Sequence, residues 1–517
     1  MSESSSNNKR IAKNTLLLYF RTFLLMAITL YTSRVVLATL GVDDYGIYNV
    51  VGGFVAMFSV ISGALSSAIS RFITFELGHG DKDKLSRIFS TSVNIQILLG
   101  ILILILGETV GIWFLNNRMN IPIERMTAAN WVLQCSLISF TINLISVPYN
   151  AAIIAHEKMK AFAYVSILEA VLKLAIVYLL LVSDTDKLIL YAILHVFVAL
   201  SIRLVYGIYC NRNFSECRYH LVYDKSLLKE MSGFAGWNFL TNGAYILNTQ
   251  GVNLLINIFF GVAINAARGI VAQIDSAIMQ FVNSFTTAIN PQIIKSYAAG
   301  DKESMFKLVC LGAKFSYFLL LIFALPILLE AECILALWLG NVPEHTDDFL
   351  RLSIIGVMLN MLGNSGYTAC MATGKIRNYV IGISSVALLV LPLSWIAFDV
   401  GLPPESTYVA YIVVYIVVDI VRLYIMRNML GFPPMLFVKE VFIKIGVTTL
   451  FASVIPIVFI SFAPTSFLRL LCTVVVCLLS STSGIYLFGL TSTEKRILTD
   501  KVLITIKKTK KRNKSKI

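Results

Sequence analysis

Charge is scarce in this chain. Of its 517 residues 14% are Asp, Glu, Lys or Arg, where soluble domains carry about 25%, while 57% are apolar and the mean hydropathy is +0.78. The polar linkers that would separate soluble domains of roughly 150 residues each are missing; the only long polar stretches are the two termini. A water-soluble multidomain protein is thereby excluded. The eight cysteines (Cys135, Cys210, Cys217, Cys310, Cys333, Cys370, Cys472, Cys477) contain no CxxC pair and mostly lie in apolar runs, so they read as small buried hydrophobes. Five scattered histidines do not have metal-ligand spacing, and neither a nucleophile triad nor a phosphate-cradling glycine loop is present. No metal, no cofactor and no enzymatic bond chemistry is expected.

What is present is apolar sequence in lengths that fit a bilayer. A span needs about 20 mostly apolar residues, and fourteen stretches qualify: 12-38, 45-75, 88-115, 127-155, 161-183, 188-210, 231-260, 266-297, 306-330, 349-372, 378-399, 405-428, 440-461 and 467-490. The segment Ser2 to Lys13 is polar and basic and leads into a span holding Arg21 with no small-residue cleavage site, so a retained first helix is expected in place of a signal peptide.

Basic residues test the count independently, because they collect on the cytoplasmic side. With the N-terminus inside, the cytoplasmic segments hold 30 Lys and Arg, and the outer connections hold three: Arg118, Arg125 and Lys187. An even number of spans with both ends in the cytoplasm follows. The net charge of +14 gathers near span ends and in the tail, which includes Lys507, Lys508, Lys510, Lys511, Arg512, Lys514 and Lys516. Beside a span such a tail contacts anionic lipid, and nucleic acid is not expected as a partner. Every loop is short, so work must be done within the bilayer.

An internal repeat runs at an offset of 220 residues, from "LGVDDYGIYNVV" (40 to 51) onto "FGVAINAARGIV" (260 to 271). Gly41 matches Gly261, and Gly80-Asp81-Lys82 matches Gly300-Asp301-Lys302. The expected domains are a cytoplasmic N-terminus (1-11), a six-helix bundle (12-210), a cytoplasmic linker (211-230) and a second six-helix bundle (231-428). Two additional helices (429-490) and a basic cytoplasmic tail (491-517) complete the chain. The fold class is an all-α integral membrane protein with about 14 transmembrane helices, its two six-helix bundles related by pseudo-twofold symmetry, an arrangement typical of transporters.

Ionisable residues inside spans are costly and commonly face an interior path. Arg203, Lys444, Asp419 and Arg469 lie within about two turns of an interface, where snorkelling explains them. Arg21, Glu169 and Lys173 lie deeper. Glu169 and Lys173, four apart, meet on one helix face, as a structural ion pair or as part of ion coupling; Asp275 is deep enough for a protonation role. Arg21 and Arg34 differ by about 140° in azimuth on one helix. With Arg268 near the outer end of its span, they make the interior cationic, which suits a phosphate-bearing cargo. Asn242, Asn248 and Asn253, beside Trp237 and Tyr245, could bind sugar hydroxyls or hold helices together.

"YTSRVVLATLGVDDYGIYNVV" (31 to 51), with an Arg-bearing first span, Leu40-Gly41 and Tyr45-Gly46-Ile47-Tyr48, resembles the Wzx-type polysaccharide and O-antigen flippases of the MOP (MATE-like) superfamily. The resemblance implies a V-shaped pair of six-helix bundles around a cationic cavity. It also implies alternating access that moves an undecaprenyl-pyrophosphate-linked oligosaccharide across the bacterial cytoplasmic (inner) membrane. Residue by residue it implies Arg21, Arg34 and Arg268 as the pyrophosphate site, with membrane lipids as surroundings and a glycan polymerase or glycosyltransferases as candidate partners. Lipid II flippases also place an arginine in span 2, where this chain has only Arg71 near the inner end. Two other readings are a MATE-like exporter of cationic drugs, which would want acidic residues in its cavity, and a membrane-embedded glycan polymerase or ligase, which would want a large outer loop.

Overall fold

The structure is a computed structural model. It describes residues 2–59, 81–156, 158–221, 246–373, 377–464, 466–492 and 494–496, with single positions between 69 and 77 and at 224, 227 and 243. Side chains are described from Phe23 onward, apart from position 159 and six positions between 281 and 291. The described residues form helices and no strand. In a bilayer this follows from backbone chemistry, since each peptide N–H and C=O must find its partner within the segment.

The helices are α1 (Ser2–Ala56), α2 (Lys82–Leu106), α3 (Ile112–Asn117), α4 (Met126–Ala155), α5 (Met159–Val182), α6 (Lys187–Asn213) and α7 (Val252–Phe260). They continue as α8 (Val262–Ala298), α9 (Lys302–Leu329), α10 (Ala331–Leu339), α11 (Thr346–Met361), α12 (Asn364–Ala372), α13 (Arg377–Ala387) and α14 (Val390–Asp399). The last are α15 (Ser406–Leu430), α16 (Pro434–Phe437), α17 (Lys444–Phe462) and α18 (Phe467–Gly484). Ten helical stretches among the described residues are long and apolar enough to cross a membrane. The protein is a multi-pass integral membrane protein.

The other four expected spans have visible reasons for not standing among those ten. The stretch 45-75 begins inside α1 and runs into residues outside the description, and most of 231-260 lies outside it as well. The stretch 266-297 is α8, continuous but laden with Asn265, Arg268, Gln273 and Asp275. The stretch 349-372 is broken into α11 and α12. At that break a Cβ on Gly363 would lie 1.5 Å from Nη1 of Arg422, so the missing side chain makes room for a buried guanidinium.

The repeat is written into the backbone. Gly41 (φ 81°, ψ 174°) bends α1, and Gly261 (φ 83°, ψ −171°), 220 residues later, separates α7 from α8 with the same conformation. This is a region that essentially only glycine adopts. The second matched element behaves alike. Asp81 caps α2 by accepting from the N–H groups of Asp83 and Lys84, and Asp301 caps α9 by accepting from the N–H of Ser304.

By proximity the chain groups into two compact units. The first comprises Met1–Ala277, Trp338–Phe349 and Val380–Val414. In it α4 packs along α6 and against α2, while α1 packs along α5. Ile47, Val50 and Val51 of α1 are wholly buried with Leu133 and Leu137 of α4 and Leu188 of α6. The second unit comprises Ile278–Leu337, Leu350–Tyr379 and Tyr415–Ile517, in which α9 packs on α12 and α18, and α17 packs along α18.

Among the described residues, interior charges in the second unit are paired. Lys314, 2% exposed, donates to both carboxylate oxygens of Glu494 at 2.8 and 2.7 Å. Arg469 donates to Glu330 at 2.8 Å, and Thr473 donates to the other oxygen of that carboxylate at 2.9 Å. Arg422 binds Asp419 at 2.5 Å and the Tyr379 hydroxyl at 3.0 Å. Snorkelling therefore does not account for Asp419 or Arg469, which are held by partners on the protein. Lys444 pairs with Glu440 one turn earlier, and in the first unit Arg203 lies over the Tyr149 ring at 4.0 Å. Hydrocarbon offers no competing acceptors, so a nearby protein group wins over a stretched-out side chain.

The glycine bends and the buried ion pairs can both be tested. Gly41→Ala and Gly261→Ala should each lower stability by about 1–3 kcal/mol, whereas Gly52→Ala, helical with open space around it, should not; melting in detergent measures all three. At Glu494 burial alone raises the carboxyl pKa, but Lys314 and the Thr491 N–H outweigh it and hold it below its ordinary 4.5. A carboxylate depressed in the folded state contributes stability that is complete above the unfolded value and is lost as pH falls through the folded one. Wild-type stability should therefore fall on acidification below about pH 4.5, and Glu494→Gln should flatten that part of the profile.

Candidate functional site

Helix α8 carries two of the ionisable residues that the sequence marks as functional, Arg268 and Asp275. Arg268 and Asp275 are seven positions apart, close to two full turns, and so share a face. Arg268 Nη2 donates to the Thr249 carbonyl at 3.0 Å, and its guanidinium carbon lies 5.5 Å from the Tyr408 ring centroid. Thr249 sits in a π-helical turn, Leu247–Gly251, where altered backbone pairing leaves a carbonyl for a side-chain donor. A cation over an aromatic face is worth about 0.5–2 kcal/mol, rising as water is removed. Asp275 is near enough to Tyr408 for its charge to act on the phenol.

The other candidates are placed differently. Arg34 on α1 is exposed. Arg21 is on the same helix, but its side chain lies outside the described residues, and Asn242 lies outside them entirely. Asn248 donates to the Ala387 carbonyl at 2.7 Å. Asn253 donates to the Asn49 carbonyl at 3.3 Å and accepts from Asn265 at 2.8 Å. These amides are engaged in joining helices. Glu169 and Lys173 form a 2.6 Å ion pair on α5, each about two-fifths exposed.

Around these residues runs a seam between the two repeats, contained in the first unit. A Cβ on Gly46 would fall 1.9 Å from the Val262 carbonyl oxygen, and one on Gly269 would fall 2.6 Å from the Asn49 side chain. Asn120 and Asn257 exchange two hydrogen bonds, N–H to Oδ1 at 2.9 Å and Nδ2 to carbonyl at 3.3 Å. Gln273 donates to the Tyr45 hydroxyl at 2.6 Å and accepts from Ser33. Trp338 donates to the Leu30 carbonyl at 3.0 Å. The seam lies at the ends of the spans near Gly41 and Gly261, where the loops are poor in Lys and Arg.

Two braces flank it at repeat-related positions. Arg125 binds Asp44 at 2.7 and 2.6 Å and Asp186 at 2.6 and 3.1 Å. His345, 220 positions after Arg125, bonds Glu405, 219 positions after Asp186. Burial acts to raise the Asp186 carboxyl, but Arg125 and the N–H groups of Ile189 and Leu188 outweigh it and hold it below the ordinary carboxylate value. Among the described residues no group of three or more His, Cys, Asp or Glu side chains could hold a metal ion.

Sequence reading missed Gln273, Tyr408 and Thr249, and took Tyr45 only as part of the motif that carries the resemblance. A phenol or amide in a span gives no charge signal. The abundance of asparagine at 49, 120, 253, 257 and 265 is the one trace the seam leaves in composition.

Known proteins share this fold. Residues 19–179 match the MatE family model. The structure superposes on "Lipid II flippase MurJ, inward closed conformation" with a TM-score of 0.70 and 14% identity, covering 92% of this chain and 98% of that one. It also superposes on a multidrug resistance MATE family transporter of the MOP superfamily in an inward-facing conformation, with a TM-score of 0.67, 15% identity and coverage of 78% and 94%. A curated relative, the uncharacterized membrane protein EpsK of Bacillus subtilis (strain 168), is 20% identical over 318 residues, 60% of this chain and 62% of that protein's length. The chain shares its fold with these two solved structures.

Because Gly46 meets backbone across the seam, Gly46→Val cannot be absorbed by a rotamer change. It should force residues 41–56 away from 252–270 and raise amide hydrogen exchange in both, while α18, packed on α9 and α17 in the second unit, stays protected.

Proposed function

We propose that the protein is a flippase that translocates undecaprenyl-pyrophosphate-linked oligosaccharide units across the bacterial cytoplasmic membrane by alternating access, with both termini cytoplasmic. The observation that carries this reading is Arg268. Its guanidinium is held inside the chain by a neutral carbonyl and an aromatic face, so its positive charge is kept in place for an anion. Arg34, exposed on α1, and Arg21 complete the proposed diphosphate site; the sugars stay in polar surroundings and the polyprenyl tail in lipid. The loop charge supports the orientation. The closed seam on the basic-poor side is in keeping with the likeness to a lipid II flippase in an inward closed conformation.

A second reading is a MATE-like exporter of cationic drugs, favoured by the carboxylate of Asp275 on the same face of α8 as Arg268 and by the similarity to a multidrug resistance transporter. One reconstitution separates the two. In vesicles holding fluorescent lipid-linked oligosaccharide, the wild type should move label between leaflets. Arg268→Ala and Arg21→Ala should each slow transfer by about tenfold, the loss of one charge-assisted hydrogen-bonded contact, and Arg268→Lys and Arg21→Lys should keep part of the rate. Transport of a lipophilic cation by wild type and by Arg268→Ala alike, with no leaflet transfer, would establish the exporter instead.

A further inference from the structure

The first repeat has a buried group that the proposed cargo site does not use. His195 on α6 lies within a span, and its Nε2 is buried with no hydrogen-bond partner among the described residues. The ring packs edge-on to Tyr191 at 4.6 Å and against Tyr48 at 5.8 Å, and the two tyrosine rings are 4.9 Å apart. From α5 the charge of Lys173, paired with Glu169, reaches the imidazole. Helix α4, which packs along α6, brings no charged side chain within its membrane stretch; its titratable groups are Cys135 and Tyr149. From α1 come Tyr45 and Tyr48. Tyr45 in turn is held by Gln273 of α8, across the seam.

The repeat gives this cluster a counterpart. Tyr48 stands 220 positions before Arg268, and each faces a tyrosine from the sixth span of its own repeat, Tyr191 and Tyr408 respectively. Where the second repeat holds a fixed charge, the first holds an imidazole, a ring whose charge can change.

We propose that His195 is a proton-binding site of the first repeat, and that its occupancy is linked through Tyr48 and Tyr45 to opening of the asparagine seam. A proton added at Nε2 would put a charge beside two tyrosine rings with no acceptor among the described residues. A conformation that admits water at Tyr45 and Tyr48 binds the proton more tightly, so by linkage acid favours opening. The inference concerns the coupling ion and does not depend on which cargo is carried.

The test is hydrogen–deuterium exchange of residues 41–56 and 252–270 in the full-length protein in lipid nanodiscs, corrected for intrinsic exchange, across about pH 5 to 8, the range in which an imidazole titrates. Exchange of both segments should rise at least about threefold on acidification, and His195→Gln should abolish the rise. Lys173→Gln, which removes the opposing charge, should move the midpoint upward, and His345→Gln, at the brace of the second repeat, should leave the response intact. Exchange that does not depend on pH, a response that survives His195→Gln, an unmoved midpoint in Lys173→Gln, or loss of the response in His345→Gln would each overturn the assignment. Should His195→Gln fail to fold, the Lys173→Gln midpoint decides alone.

Discussion

Polar side chains within a bilayer depend on the protein itself for their partners, and this requirement organises much of the described chain. Hydrocarbon supplies no donors or acceptors, so an amide or guanidinium left alone there costs several kcal/mol. The consequence is visible at Lys314 with Glu494, at Arg469 with Glu330 and Thr473, at Arg422 with Asp419 and Tyr379, and along the asparagine seam. Each of these interior charges has a defined address. Even the irregular backbone serves the same end: the π-turn at Leu247–Gly251 presents a carbonyl to Arg268, and the break between α11 and α12 opens a space for Arg422.

The same requirement explains how far the sequence could be read. Apolar length and basic loops are additive properties of short windows, so most spans were legible with boundaries a few residues off. Gly41 and Gly261 were legible as a matched pair, because a residue that only glycine can be leaves a mark at each repeat. The Glu169–Lys173 ion pair was legible because four-residue spacing on a helix fixes its own geometry. What could not be read were partners far apart in the chain. Arg125 and Asp44 are 81 residues apart, and Ser33 and Gln273 are 240 apart. No local pattern says that Asp419 turns to Arg422 in place of water, nor that Asn248 and Asn253 give their amides to helix backbones.

The seam also shows why small residues and amides occur together. Gly46 and Gly269 let two backbones come close, which van der Waals attraction favours but which leaves main-chain oxygens such as that of Asn49 facing a neighbouring helix. Asparagine is short enough to answer them without pushing the helices apart. Association in lipid of this kind rests on packing and modest hydrogen bonds, each about 1 kcal/mol, and not on burial of apolar surface. A contact held by many small terms can open and close without a prohibitive barrier, which a single large hydrophobic interface could not.

The two repeats keep their backbone devices while their side-chain chemistry has diverged. Gly41 and Gly261 bend alike, and Asp81 and Asp301 cap alike. Yet the brace built on a permanently charged Arg125 in one repeat is built on His345 in the other, and the position held by Tyr48 in one is held by Arg268 in the other. Backbone geometry is constrained by the need to cross a membrane twice in the same way. The side chains at matched positions differ together with their partners inside each repeat: Arg125 with Asp44 and Asp186 against His345 with Glu405, and Tyr48 with Tyr191 against Arg268 with Tyr408. One repeat can therefore carry a fixed cation and the other a titratable ring within a single architecture, and it is this asymmetry, not the shared fold, that distinguishes the two halves.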